Sequence, residues 1–171
     1  MNKNEYVDTD LQLLFHAKDI LESEGMQSGK DTRHHGDVSV YSHSVDVAVI
    51  SLKLARKLRL NIDEKSLIRG ALLHDYYLYD WHVPDKEHRL HGFSHAKTAL
   101  RNASADFELN KIEKDIIKKH MFPLNISVPM YKESVLVCVA DKISATRDYT
   151  KQMGWFKEHA NLIRAYVQSY R

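Results

Sequence analysis

Apolar residues recur at helical spacing through nearly every segment of this chain, and no alternating run reads as a convincing strand. The expected fold is therefore all-α, a single domain of about six to seven helices. Leu11, Leu14, Phe15 and Leu21 mark a first helix over about 8–24, with Asp8 or Thr9 as its cap and Gly25 beyond its end. A second, over about 39–60, carries Val45, Ala48, Val49, Leu52, Ala55 and Leu58 on one face and ends at Asn61. Asp63 caps a third over about 64–76. Further helices are expected at about 94–105, 110–121, 131–149 and 154–169. Trp155, Leu162, Ile163, Tyr166 and Val167 share one side of the last of these. The two prolines in "FPLNISVPMY" forbid a continuous helix there. "SVLVCVA" has a strand's composition, but Lys132, Glu133 and the following "DKISATRD" favour a buried helix. "MQSGKDTRHHGDVS" reads as a polar loop, and 77–92, with Pro84 inside it, as a loop or broken turn.

Composition narrows the function classes. The 171 residues suit one domain, and 43% hydrophobic content can build a core. Lys plus Arg number 25 against 23 Asp plus Glu, which leaves no electrostatic footprint for nucleic acid. Cys138 is the one cysteine, so an intrachain disulfide and a cysteine zinc cluster are both excluded. It lies in "SVLVCVAD" and reads as a small core residue. "MNKNEYVDTD" has no apolar signal-peptide core, and no run approaches the roughly 18 apolar residues of a membrane span. A cytoplasmic protein with no membrane partner is the expectation, and nothing in the sequence indicates a homo-oligomer.

The informative residues are polar ones on apolar stripes. In "LIRGALLHDYYLYDWH", Leu67, Ala71 and His74 share one stripe, and Ile68, Leu72 and Asp75 the next. His120 follows Ile112 and Ile116 at intervals of four, and Asp141 follows Val137. His43 enters the second helix just before Val45. A buried ionised carboxylate costs several kcal/mol unless it is paired or bound to metal. One inward histidine is ordinarily satisfied by a backbone carbonyl. Five such positions converging on one interior point to a shared divalent metal, for which imidazole and carboxylate donors suit zinc, iron, manganese or cobalt.

"YSHSVDVA", "ALLHD", "KKHMFP" and "VADKISA" together resemble the HD-domain superfamily of metal-dependent phosphohydrolases. The resemblance covers about residues 33–150, which makes that stretch the expected core of one domain spanning 1–171, with flanking helices at both ends. It implies that His43, His74, Asp75 and Asp141 hold one metal. It also implies that Asp75 can bridge to a second ion supported by two further histidines. His95 and His120 are the expected pair; His91 is the competing position and is otherwise expected to face the substrate phosphate or to hydrogen-bond a ligand. The implied cofactor is thus one or two divalent ions of iron, manganese, zinc, cobalt or nickel.

By the same resemblance the chain hydrolyses a phosphoester or phosphoanhydride of a small molecule, a nucleotide among the candidates. Asp75 and Lys142 are the catalytic candidates, and Lys142 also reaches for a phosphate. His35 is expected to orient water or substrate. Arg33 is a weaker candidate, and Arg69, on another face from His74, is expected at the surface. Tyr76, Tyr77, Tyr79 and Trp81 read as a wall over the site, and His16, His82, His88 and His159 as ordinary surface residues. Two rival readings are a di-iron oxygenase of the same superfamily and a non-catalytic binding module that keeps a metal for structure.

Overall fold

The computed structural model describes residues 3–35, 38–77 and 91–147, with side chains described over 12–32, 38–77 and 95–147. In chain order the elements are α1 (Lys3–Leu21), α2 (Glu24–Ser28), β1 (Arg33–His35), β2 (Val38–Ser39), α3 (Val40–Lys57), α4 (Glu64–Leu73), α5 (His91–Asp106) and α6 (Lys111–Lys119). A seventh helix, α7, is described over 132–147. The class is all-α as expected. The loop before α3 departs from the reading by sequence: it contains α2 and an antiparallel ribbon pairing Arg33 with Ser39 and His35 with Val38. So short a ribbon leaves no alternating run to detect. The expected helix over 154–169 and most of the 77–92 segment lie outside the described residues.

Short polar side chains set several boundaries. Asp63 accepts from Ser66 N, the expected cap of α4. Asn110 and Glu113 form a capping box that starts α6. Ser39 caps α3 by accepting from Ser42 N. α1 begins at Lys3, so Asp8 and Thr9 sit inside it rather than capping it. α5 begins at His91 rather than at about 94, so Gly92 lies within it.

α4 is the centre of the packing and lies against α1, α3 and α6. Every residue from Ser66 to Leu73 is buried. A Cβ on Gly70 would stand 2.5 Å from Ile116 Cδ1, so the missing side chain is what lets α4 and α6 approach. The burial of α4 on all sides overturns the surface placement of Arg69. Its guanidinium is buried and pairs with Asp19 at 2.7 Å and Glu113 at 3.2 Å, tying α4 to α1 and α6. Leu52, Leu67, Ile68, Leu72, Leu73, Ile116 and Ile117 fill the core around it. Cys138 is buried as expected. Among the described residues no helix is long and apolar enough to cross a membrane.

Candidate metal centre

α4 stops where its apolar face meets His74. That residue is the C-cap, and the turn through Asp75, Tyr76 and Tyr77 follows it. Asn102 of α5 holds this turn by donating to Tyr77 O at 3.0 Å. Five other side chains converge on it from four helices: His43 near the start of α3, His95 in the first turns of α5, His120 as C-cap of α6, and Asp141 and Ser144 from α7. His74 is 0% exposed, His43 and His120 1%, and Asp75 and His95 5%, so water does not solvate these groups.

The ligand atoms fall into two groups. Those of His43, His74 and Asp141 lie within 4.8 Å of one another, and so do those of Asp75, His95 and His120. Asp75 stands between them. Its Oδ1 is 3.3 Å from His95 Nε2 and 3.5 Å from His120 Nε2, while its Oδ2 is 3.5 Å from His74 Nε2 and 4.0 Å from His43 Nε2. His43 Nε2 also lies 3.2 Å from Asp141 Oδ1.

Hydrogen bonds on the far side of two of the rings fix their protons. His74 Nδ1 donates to Ala71 O at 2.7 Å, and His120 Nδ1 donates to Ile117 O at 2.9 Å. Both carbonyls belong to the last turn of a helix, where they lack an amide partner. A neutral ring that spends its one proton on Nδ1 keeps a lone pair on Nε2. For His74 that lone pair is buried and makes no hydrogen bond among the described residues. His120 Nε2 faces His95 Nε2 at 2.9 Å, a separation that asks for a proton or a cation between the rings.

The electrostatics run the same way. Burial pushes the His120 imidazolium down, and neighbouring His74 adds to this, bringing its pKa to about 4. Burial pushes Asp141 up, but the His43 hydrogen bond and the nearby His74 bring it down to about 2. Asp75 is raised by burial and more than restored by His74, His95 and His120, which hold it well below the ordinary carboxylate range. At neutral pH the site therefore holds ionised carboxylates beside an unprotonated His120. That is the donor set a divalent cation takes, and the unused lone pair of His74 is where such a cation fits.

The remaining candidates are placed less centrally. Lys142 Nζ donates to His120 O and Cys138 O, each at 3.2 Å, so its charge sits beside the end of α6. The side chains of His35, His91 and Arg33, and all of Tyr79, Trp81, His82, His88 and His159, lie outside the described residues. Tyr77 meets the His95 ring edge-on with centroids 6.0 Å apart, as a wall residue would. Tyr76 instead turns away, and its hydroxyl donates to Asp106 at 2.8 Å. The sequence reading passed over Asp46 and Ser144. The signal for both was spacing: each follows a candidate ligand, His43 or Asp141, by three residues on the same helix.

No curated protein and no solved structure matches the chain. A family model described as HD domain matches residues 40–146, which is more than half of the chain and contains all six candidate ligands. An inward histidine on α3, a His-Asp pair at the end of α4 and a distant aspartate on α7 thus lie within one matched stretch, and the chain belongs to the HD domain family.

Proposed function

We propose that this chain is a metal-dependent phosphohydrolase that cleaves a phosphoester or phosphoanhydride of a small molecule, with nucleotides the first class to test. The observation that carries the reading is Asp75, buried between two groups of imidazoles with one carboxylate oxygen toward each. His43, His74 and Asp141 would hold one divalent ion, and His95 and His120 a second, with Asp75 serving both. Iron, manganese, zinc, cobalt and nickel all suit such nitrogen and oxygen donors. Ions bound there make hydroxide available from water near neutral pH and draw charge from a phosphoryl oxygen.

The chain's own residues supply the preorganisation. Helix-end carbonyls hold the His74 and His120 rings, so their Nε2 lone pairs face the site before any ligand arrives. Asp75 and Asp141 are ionised at neutral pH, so no proton has to leave them. Lys142, the residue after Asp141, is assigned to the substrate phosphate. His35 is assigned to orienting water and His91 to the phosphate.

The test begins with metal analysis of protein purified without chelator. A phosphate-release screen over nucleotides and sugar phosphates follows, with the metal restored. Release of phosphate or of a phosphorylated fragment is expected. Chelator and Asp75→Ala should each abolish it, and His74→Ala and Asp141→Ala should lose bound metal. Full metal retention by Asp141→Ala would sink the assigned site. A silent screen accompanied by oxygen uptake would replace the hydrolase with the di-iron oxygenase.

A further inference from the structure

The segment "MFPLNISVPMY", residues 121–131, joins α6 to α7 and carries no charged side chain. Its polar groups are tied inward. Asn125 Nδ2 donates to Lys118 O at 3.4 Å, Ser127 N donates to Asn125 Oδ1 at 3.0 Å, and Met130 N donates to Asp115 Oδ2 at 2.9 Å. Exposure then alternates with the two-residue period of extended chain. Leu124 is 53% exposed, Ile126 91%, Val128 62% and Met130 77%, while Asn125, Ser127 and Pro129 are half-buried. The usual arrangement is inverted, with the polar side inward and the apolar side out. Single exposed apolar residues need no explanation, but four within seven positions mark a surface that meets something other than water. On α7, Val135, Val139 and Ile143 recur at intervals of four and are exposed as well. Cys138, the residue before Val139, donates to Phe122 O at 3.1 Å, which sets the segment beside that stripe.

Charge decides what the surface meets. The whole chain is nearly balanced, with 25 Lys plus Arg against 23 Asp plus Glu, but the structure segregates the two signs. From 111 to 147 the exposed charged side chains are Lys111, Lys114, Lys118, Lys132, Lys142 and Arg147, all basic. The carboxylates of the same stretch are turned inward. Glu113 pairs with Arg69, Asp115 with Lys119, Glu133 accepts from Asp63 N, and Asp141 faces the metal centre. Arg147 is engaged by Asp46. Lys111, Lys114 and Lys118 share one side of α6, next to the Asp115 that anchors the segment. A second copy brought up across a two-fold axis would set these lysines against their own kind. A nucleic acid would find no aromatic side chain over 124–130 on which to stack a base. An anionic lipid surface suits both features, since aliphatic side chains enter the acyl boundary and lysines meet the phosphates.

We propose that residues 124–130, with the lysines of α6 beside them, dock this chain on an anionic phospholipid surface. The contact lies on the bilayer and does not cross it, so it needs no spanning helix. It departs from the expectation of no membrane partner, which rested on the lack of a long apolar run. The proposal stands apart from the metal site, and no step of the hydrolysis depends on it. Leu124 is four residues beyond His120, so docking holds the metal centre near the head groups.

The test is cosedimentation of the full chain with vesicles of equal parts phosphatidylcholine and phosphatidylserine. Binding to these is expected, with none to phosphatidylcholine alone, and added salt should weaken it. Ile126→Ser should weaken binding roughly 10–100-fold, the loss of one buried aliphatic side chain. Lys114→Gln combined with Lys118→Gln should weaken it roughly 25-fold, at about fivefold for each lysine. These variants change exposed side chains only and should melt with the wild type. Ile126→Trp should gain a blue-shifted fluorescence, absent from the wild type, when the mixed vesicles are added. No binding to the mixed vesicles overturns the proposal, as does binding that Ile126→Ser leaves unchanged. A dimer in solution that Ile126→Ser dissociates would overturn it in favour of a second copy of the chain.

Discussion

Asp115 is a buried carboxylate with an answer unlike that of Asp75. It accepts from Met130 N at 2.9 Å and from Ser134 Oγ at 2.7 Å, and it pairs with Lys119. Burial raises its pKa, and the Lys119, Met130 and Ser134 hydrogen bonds more than reverse this, leaving it below the ordinary carboxylate value. A folded-state pKa below the unfolded one contributes stability that is full above the unfolded value, near 4, and is lost as pH falls through the folded value. Asp115→Asn should therefore cost about 1–3 kcal/mol at pH 7 and flatten the loss of stability below about pH 4. Urea melts of both proteins between pH 7 and pH 2 check this, and parallel pH profiles would contradict it. At this scale the sequence was legible where a polar residue interrupted an apolar stripe, as at His74, Asp75, His120 and Asp141. It was not legible at Arg69, Asp46 or Ser144. Their partners lie 50, 98 and 101 positions away along the chain, and the local spacing of Asp46 and Ser144 from candidate ligands marks a helix face without showing what that face meets.

Among the elements, α3 ends in a way its sequence conceals. Leu60 N donates to Ala55 O at 2.9 Å and Arg59 N to Arg56 O at 3.0 Å, the pair of bonds of a Schellman motif. The residue in the left-handed position is Arg59, with φ of 52°. Glycine or asparagine would have announced this stop, and Asn61 was read as the terminator instead. An L side chain in that conformation costs roughly 1–2 kcal/mol. Arg59→Gly should therefore raise stability by up to about 1 kcal/mol after the entropy glycine adds to the unfolded chain. Calorimetry should show a melting point a few degrees higher, and a lowered one would mean that Arg59 makes a stabilising contact. Caps made by short polar side chains, Asp63 above all, were legible because their chemistry is local. The helix α2, of five residues, and the ribbon before α3 are too short to leave a periodic pattern.

Across the whole molecule, the six candidate ligands come from α3, the turn after α4, α5, α6 and α7, and they meet at the end of the central helix. An ion bound there engages the folded chain and not the unfolded one, so it stabilises by mass action. At 100 times its dissociation constant the gain is about 2.7 kcal/mol, which for a chain of this size is a rise in melting temperature of about 5–10 °C. Scans with and without chelator measure it. Coincident curves for protein shown to be metal-loaded would mean that the ions bind the unfolded chain as well. The wide spacing of the ligands also gives the site an order in time. During translation the Asp75, His95 and His120 codons have all been read once the ribosome passes the last of them, whereas the other group waits for Asp141. At about 5–20 residues per second the interval is on the order of 1–4 s. A nonsense codon anywhere from position 121 to position 140 would leave one group fully encoded and the other lacking its only carboxylate of its own.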